Sequence, residues 1–160
     1  MSARCKTAFF AILAALTVGS LHGISIESVR QKNYTESQLT TLHEYLGGRE
    51  HYGRRTYLRT DWNRRPGLYL VADLDEKLST LPPDTVVTLD IVRASDGQYK
   101  SFRLPLSEAR GRMGKALYIG ITNPEDSGEK LLAWKLSFLD AGGALLAERH
   151  SFLWAMPAGK

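Results

Sequence analysis

Short apolar stripes at two-residue spacing, each closed by turn residues, constrain this chain more than any other feature. In residues 67–74, Leu68, Leu70, Ala72 and Leu74 fall on one parity. Val87, Leu89 and Ile91 do so in 85–93, Phe102 and Leu104 in 98–104, and Leu117, Ile119 and Ile121 in 116–122. Leu132, Trp134, Leu136 and Phe138 make the longest stripe. A period of two puts alternate side chains on one face of a strand, so these faces ask for a common core. The breaks carry turn chemistry: Pro82-Pro83-Asp84, the hairpin pair Asp96-Gly97, Asn123-Pro124 with Gly128, and Asp140-Ala141-Gly142-Gly143.

With 55–60 and 145–154 added, about seven strands fill roughly a hundred residues, and no helical pattern alternates with them. The expectation is a mainly all-β domain, a two-layer antiparallel β-sandwich with one short N-terminal helix. Over residues 54–154 the pattern resembles the immunoglobulin and fibronectin type III sandwiches, and the resemblance implies an architecture and no activity. The last run fits least well. Leu145, Ala147, Ser151 and Leu153 lie on one parity and Leu146, Phe152 and Trp154 on the other, which predicts a bulge or apolar partners on both faces.

Ahead of the strands, Arg4 and Lys6 precede an apolar run over residues 7–18, followed by Gly19-Ser20-Leu21-His22-Gly23. A basic start, a short apolar segment and small residues are the layout of a secretory signal peptide. Twelve helical residues would reach about 18 Å against a hydrocarbon core of roughly 30 Å, so cleavage after Ser20 or Gly23 is expected in place of a stable transmembrane anchor. The organisation read from the chain is a signal peptide at 1–23, an N-terminal extension at 24–53, the sandwich at 54–156 and a tail at 157–160. Within the extension, Thr35 and Gln38 have capping-box spacing, Leu39, Leu42 and Leu46 recur at helical intervals, and Gly47-Gly48 supply a stop, which predicts a helix over 36–46 that plugs an open end or packs across a sheet edge. The only cysteine is Cys5, inside the signal, so a mature chain has no disulfide, thiolate metal site or cysteine nucleophile, a usage that suits a bacterial envelope.

Net charge says little, but its distribution is uneven. Residues 49–65 hold six arginines against Glu50 and Asp61. In order, Arg49, His51, Tyr52, Arg54, Arg55, Tyr57, Arg59, Trp62, Arg64 and Arg65 interleave fixed positive charge with rings. Guanidinium forks suit phosphate, sulfate and carboxylate, and rings stack on sugars or bases, so Arg49, Arg54, Arg55, Tyr57, Arg59, Trp62, Arg64 and Arg65 are the candidate ligand-binding residues. The competing reading pairs these arginines with carboxylates of the same domain, such as Asp61, Asp73 or Asp75.

Catalysis has little to stand on. His43, His51 and His150 form no HxH or HExxH arrangement, Ser101, Ser137 and Ser151 lie in strand patterns without a nucleophile elbow, and Asp73 and Asp75 lack a glycine-bearing calcium loop. No catalytic residue, metal ligand or cofactor is therefore expected. Trp134, flanked by Leu132 and Leu136, reads as core, Trp154 is undecided, and Asn33-Tyr34-Thr35 matches a glycosylation sequon. The expectation is an exported, non-catalytic binding or structural module, periplasmic or secreted, acting on a protein partner of the cell envelope or extracellular space, with the run at 149–154 either adding to a partner's sheet or completing its own. The alternative is a soluble binder of an anionic polymer or glycan through residues 49–65. An enzyme with a loop-built site, gathering His51, Asp73 and other polar groups, is the third.

Overall fold

The alternating runs form strands, and the strands form two packed sheets. The computed structural model describes residues 23–126, 128 and 130–155. The signal peptide expected at 1–23 lies outside the described residues except for Gly23, and so does the tail at 157–160. In chain order the strands are β1 (Ile26–Tyr34), β2 (Thr56–Arg59), β3 (Gly67–Leu74), β4 (Val86–Arg93), β5 (Tyr99–Pro105), β6 (Arg110–Gly111), β7 (Ala116–Ile121), β8 (Leu131–Leu139) and β9 (Leu145–His150). One sheet runs β1-β3-β7-β2-β6 and the other β5-β4-β8-β9. The chain is an all-β sandwich of two sheets in which antiparallel pairing predominates.

The stripes meet where their spacing predicts. Leu70 pairs with Ile119 and Ala72 with Leu117 in the first sheet, while Leu89 sits between Phe102 and Leu136 in the second. Leu68, Leu70, Leu74, Leu117, Ile119 and Ile121 bury against Val87, Leu89, Ile91, Leu136 and Phe138 in one cluster. Each fully buried leucine or isoleucine contributes roughly 1.5–3 kcal/mol, which makes this layer the main source of stability. Trp134 belongs to it, as its stripe predicts.

Five expectations need correction. Leu132 leaves the stripe: the register slips between Val92 and Arg93, so that Ala133 and Leu131 face successive β4 residues and Leu132 stands 50% exposed on a bulge. The 24–53 segment is not merely an extension, because β1 lies in it and pairs with β3 from Ile26 to Tyr34. Nor is the helix over 36–46 continuous. It is α1 (Glu36–Leu39) and α2 (Leu42–Gly47), with Thr40 and Thr41 extended between them. Thr40 closes α1 by placing its N–H and its hydroxyl on the Glu36 carbonyl at 3.0 and 2.9 Å. Thr41 opens α2, its Oγ1 accepting from the Glu44 N–H at 3.3 Å and its own N–H donating to Glu44 Oε2 at 3.4 Å.

The fourth correction concerns β2, which runs parallel to β7 and antiparallel to β6, so the first sheet is mixed. The fifth concerns the last strand, which stops at His150. The predicted bulge is present at Phe138/Leu139, and β9 is the sheet edge. Beyond it, Ser151 ties to Trp134 through both its N–H and its Oγ, and Phe152–Ala155 form a 3-10 turn that packs back on β8.

Candidate functional site

In β2 and β3 the residues between the core positions are bulky and largely buried, where an exposed sheet face would carry small or solvated ones. Tyr57 and Arg59 alternate with Leu58, and Tyr69 and Val71 alternate with Leu68, Leu70 and Ala72, so both faces of these strands carry bulky side chains. The second face builds its own small core. Leu39, Tyr57 and Tyr69 are buried together, with Tyr34, Tyr52, Trp62 and Tyr118 packed around them. Tyr57 lies with its ring centroid 5.1 Å from that of Tyr118 and 5.9 Å from that of Tyr52, and Tyr69 meets Tyr34 edge-on at 5.4 Å. Thus Leu39 of α1, with Tyr52 and Trp62 from the segments either side of β2, lies over the outer face of the first sheet, where the sequence had suggested an end plug or an edge cover.

Two of the candidate arginines are structural members of this cover. Arg59 is 2% exposed. Its Nε donates to the Tyr69 hydroxyl at 3.0 Å, its Nη2 donates to Glu50 Oε1 at 2.6 Å, and the Tyr69 hydroxyl donates in turn to the Arg65 carbonyl at 2.7 Å. The guanidinium carbon stands 5.3 Å from the Tyr57 ring and 5.1 Å from the Trp62 ring, and Arg110 stacks on Trp62 at 4.2 Å. Arg59 Nη1 has no hydrogen-bond partner, so ring faces take the place of oxygens on that side. Arg65 binds Glu44 in a fork, reaches Glu36 at 3.1 Å and Glu50 at 3.3 Å, and donates to the Leu39 carbonyl at 3.0 Å.

This arrangement sets the electrostatics. Burial alone would raise the Glu50 carboxyl, but the hydrogen bond and charge of Arg59, with the Tyr52 hydroxyl and Arg65, outweigh it and hold the group below the ordinary glutamate range. Burial pushes the Tyr69 hydroxyl up, against the pull of the Arg59 charge. Gly120 makes room for that ring, since a Cβ there would stand 2.6 Å from Tyr69 Cε1.

The remaining candidates divide. Arg55 is exposed, donates to the Tyr57 hydroxyl at 3.3 Å and lies 5.4 Å over the Tyr118 ring. Arg49, Arg54 and Arg64 are exposed and make no ion pair among the described residues. The carboxylates suggested as partners are engaged elsewhere: Asp73 by Ser28 and Arg30, both at 2.8 Å, Asp75 by the Ser25 N–H at 2.7 Å, and Asp61 by the Asn63 N–H at 2.9 Å. The partners that were missed, Glu36 and Glu44, lie in the helices, 21 residues from Arg65 in the case of Glu44. Tyr69 was legible in principle, because the uninterrupted run from Gly67 to Ala72 is the mark of a strand buried on both faces.

The His51 ring lies tilted at 40° beside that of His43 with centroids 5.3 Å apart, while Asp73 is held by Ser28 and Arg30. No cluster of three or more histidine, cysteine or acidic groups gathers among the described residues, and no helix among them is long and apolar enough to cross a membrane. Trp154 is half-buried on the outer face of the second sheet, 6.3 Å from Tyr99 and 5.5 Å from Lys135 Nζ. Tyr99 donates to Asp90 at 2.8 Å, and Lys135 pairs with Asp90 at 3.5 Å.

Fold and site together define a two-sheet β-sandwich with one outer face covered by a tyrosine–arginine layer. Compared with protein families, curated proteins and solved structures, the chain has no match.

Proposed function

We propose that the protein is an exported, non-catalytic binding module that acts through protein–protein contacts. The observation that supports this is the set of exposed large apolar side chains on β8 and on the last turn, two segments that contact each other. Leu132 stands out on its bulge, and Phe152 and Leu153 follow the free edge strand β9, Phe152 at 81% exposure. Large apolar side chains grouped beside an unpaired strand edge suit a protein surface of like character. The export route rests on the sequence pattern of residues 1–23.

The strand order also supports an immunoglobulin or fibronectin III-like sandwich. The pairs β4–β5 and β8–β9 are hairpins of one sheet, β1, β3 and β7 neighbour one another in the other, and the chain changes sheets after β3, β5 and β7. We read this order as an A-B-E against C′-C-F-G arrangement from which the parallel β2 departs as an insertion.

The test is affinity purification from the envelope fraction of the native cell with residues 24–160 as bait, alongside a Phe152→Ser/Leu153→Ser variant. A protein retained by the wild type through high salt and lost by the variant is the expected result. Equal retention by both would remove these apolar side chains from the account. The second reading, a binder of an anionic polymer through residues 49–65, keeps Arg49, Arg54 and Arg64 as exposed, unpaired cations, while Tyr57, Arg59 and Arg65 are committed to internal contacts. It predicts co-purification of a polymer that elutes at moderate salt.

A further inference from the structure

Three hydrogen bonds, two between backbone groups and one to a threonine hydroxyl, draw three distant segments together at β2. The Arg112 N–H donates to the Arg55 carbonyl at 3.3 Å, the Gly114 N–H donates to Thr56 Oγ1 at 3.3 Å, and the Leu78 N–H donates to the Gly114 carbonyl at 2.8 Å. Thr56 and Leu78 are fully buried, so the frame is anchored in the core. Gly111 permits the approach: its φ is +115°, and a Cβ there would stand 2.0 Å from the Arg55 carbonyl oxygen.

The ties leave a surface hollow of about 460 Å³, lined by Arg54, Lys77, Ser79, Arg112, Met113 and Gly114. Three of these side chains are cations, none is acidic, and none of the three makes an ion pair among the described residues. Arg30, Arg59, Arg65, Arg93, Lys100 and Lys135 each meet a carboxylate, while other cations such as Arg49, Arg64 and Arg103 also lack one among the described residues, so what sets Arg54, Lys77 and Arg112 apart is that they line one hollow. Like charges held around one concavity repel, and an anion seated between them removes that repulsion.

We propose that this hollow binds a tetrahedral oxyanion, a phosphate or sulfate group, with Arg54 and Arg112 as forked donors, Lys77 as a point charge and Ser79 as a hydroxyl donor. The proposal shares Arg54 with the second reading above but rests equally on Lys77, Ser79 and Arg112, which lie outside residues 49–65, and it draws nothing from the apolar residues of the last turn. The group arrives as the free ion or as an ester on a carbohydrate polymer, and its recognition chemistry is the same in both.

The experiment is a low-salt amide NMR titration of residues 24–160 with inorganic phosphate, inorganic sulfate and a sulfated oligosaccharide in separate arms. Saturable shifts centred on Lys77, Ser79, Arg112 and Gly114 are expected. An Arg54→Gln/Arg112→Gln variant, whose exposed side chains leave the spectrum otherwise folded, weakens binding by about tenfold or more, as loss of charge-assisted hydrogen bonds predicts. An Arg103→Gln/Lys130→Gln control, two exposed cations outside both the hollow and residues 49–65, stays within about twofold of wild type, a difference that uniform charge screening would not produce. Saturation by the inorganic ions at concentrations comparable to the oligosaccharide assigns a free ion; saturation by the oligosaccharide alone assigns a polymer. Absence of saturable shifts in every arm, or an equal loss in the control variant, overturns the site.

Discussion

The two sheets present outer faces of different kinds. On the first, β2, β3 and β7 turn Tyr57, Arg59, Tyr69 and Tyr118 outward, and Leu39, Tyr52 and Trp62 close over them. On the second, β4, β5 and β8 turn Asp90, Tyr99 and Lys135 outward, and Tyr99 remains 58% exposed. The difference shows how a sheet face can be buried with arginine and tyrosine in place of aliphatic side chains. It works where each cation meets both a carboxylate and a ring, as Arg59 meets Glu50, Tyr57 and Trp62. Long polar side chains then supply area, and pairing offsets part of the cost of burying their heads.

The comparison can be broken most sharply at the two tyrosines. Tyr69→Ala removes a fully buried ring that also anchors Arg59 and Arg65, and should cost about 3–5 kcal/mol in urea unfolding. Tyr99→Ala loses one hydrogen bond on a wet face and should cost about 1 kcal/mol. Similar losses at both positions would mean that the faces do not differ.

Charge gives the next contrast. Arg59→Met leaves Glu50, in a partly buried site, with only the Tyr52 hydroxyl and Arg65, and should cost about 3 kcal/mol, part of it recovered in Arg59→Met/Glu50→Gln. Lys135→Met breaks a 3.5 Å pair whose lysine end is part-exposed and leaves Asp90 its hydrogen bond from Tyr99, so it should stay within about 1 kcal/mol of wild type. At Gly120 an alanine methyl would press on the Tyr69 ring and should cost about 1–3 kcal/mol, with a loss of tyrosine near-UV circular dichroism.

The smallest effect is the acid response. Because the Glu50 pKa is lowered in the folded chain, its contribution is complete above the unfolded value of about 4.3 and is lost as pH falls through the folded one. Trp62 fluorescence should therefore change in that acid range, and Glu50→Gln should flatten the change.

How much of this was visible in the chain follows from what each pattern encodes. The stripes of β3, β4, β7 and β8 announce themselves because one face is apolar throughout. β1 does not: in IESVRQKNY only Ile26 is buried, and the strand is held by its backbone ladder to β3. The break between α1 and α2 lies in Thr40-Thr41, where a second cap outweighs the leucine spacing. The strand at 56–59 and its alternation were legible, but its parallel pairing with β7 depends on contacts some sixty residues apart, as Thr56 with Leu117 shows. The arginine segment was visible as charge. Its partners were not, because Glu36 and Glu44 reach Arg65 only after the helices fold across the sheet.

The central claim is that residues 49–65 hold two populations of arginine, one internal and one free. Urea unfolding of Arg59→Gln/Arg65→Gln beside Arg49→Gln/Arg64→Gln tests it most directly. The account predicts a loss of several kcal/mol for the first pair and less than about 0.5 kcal/mol for the second. Equal stability in the two variants, or a greater loss in the second, would contradict it.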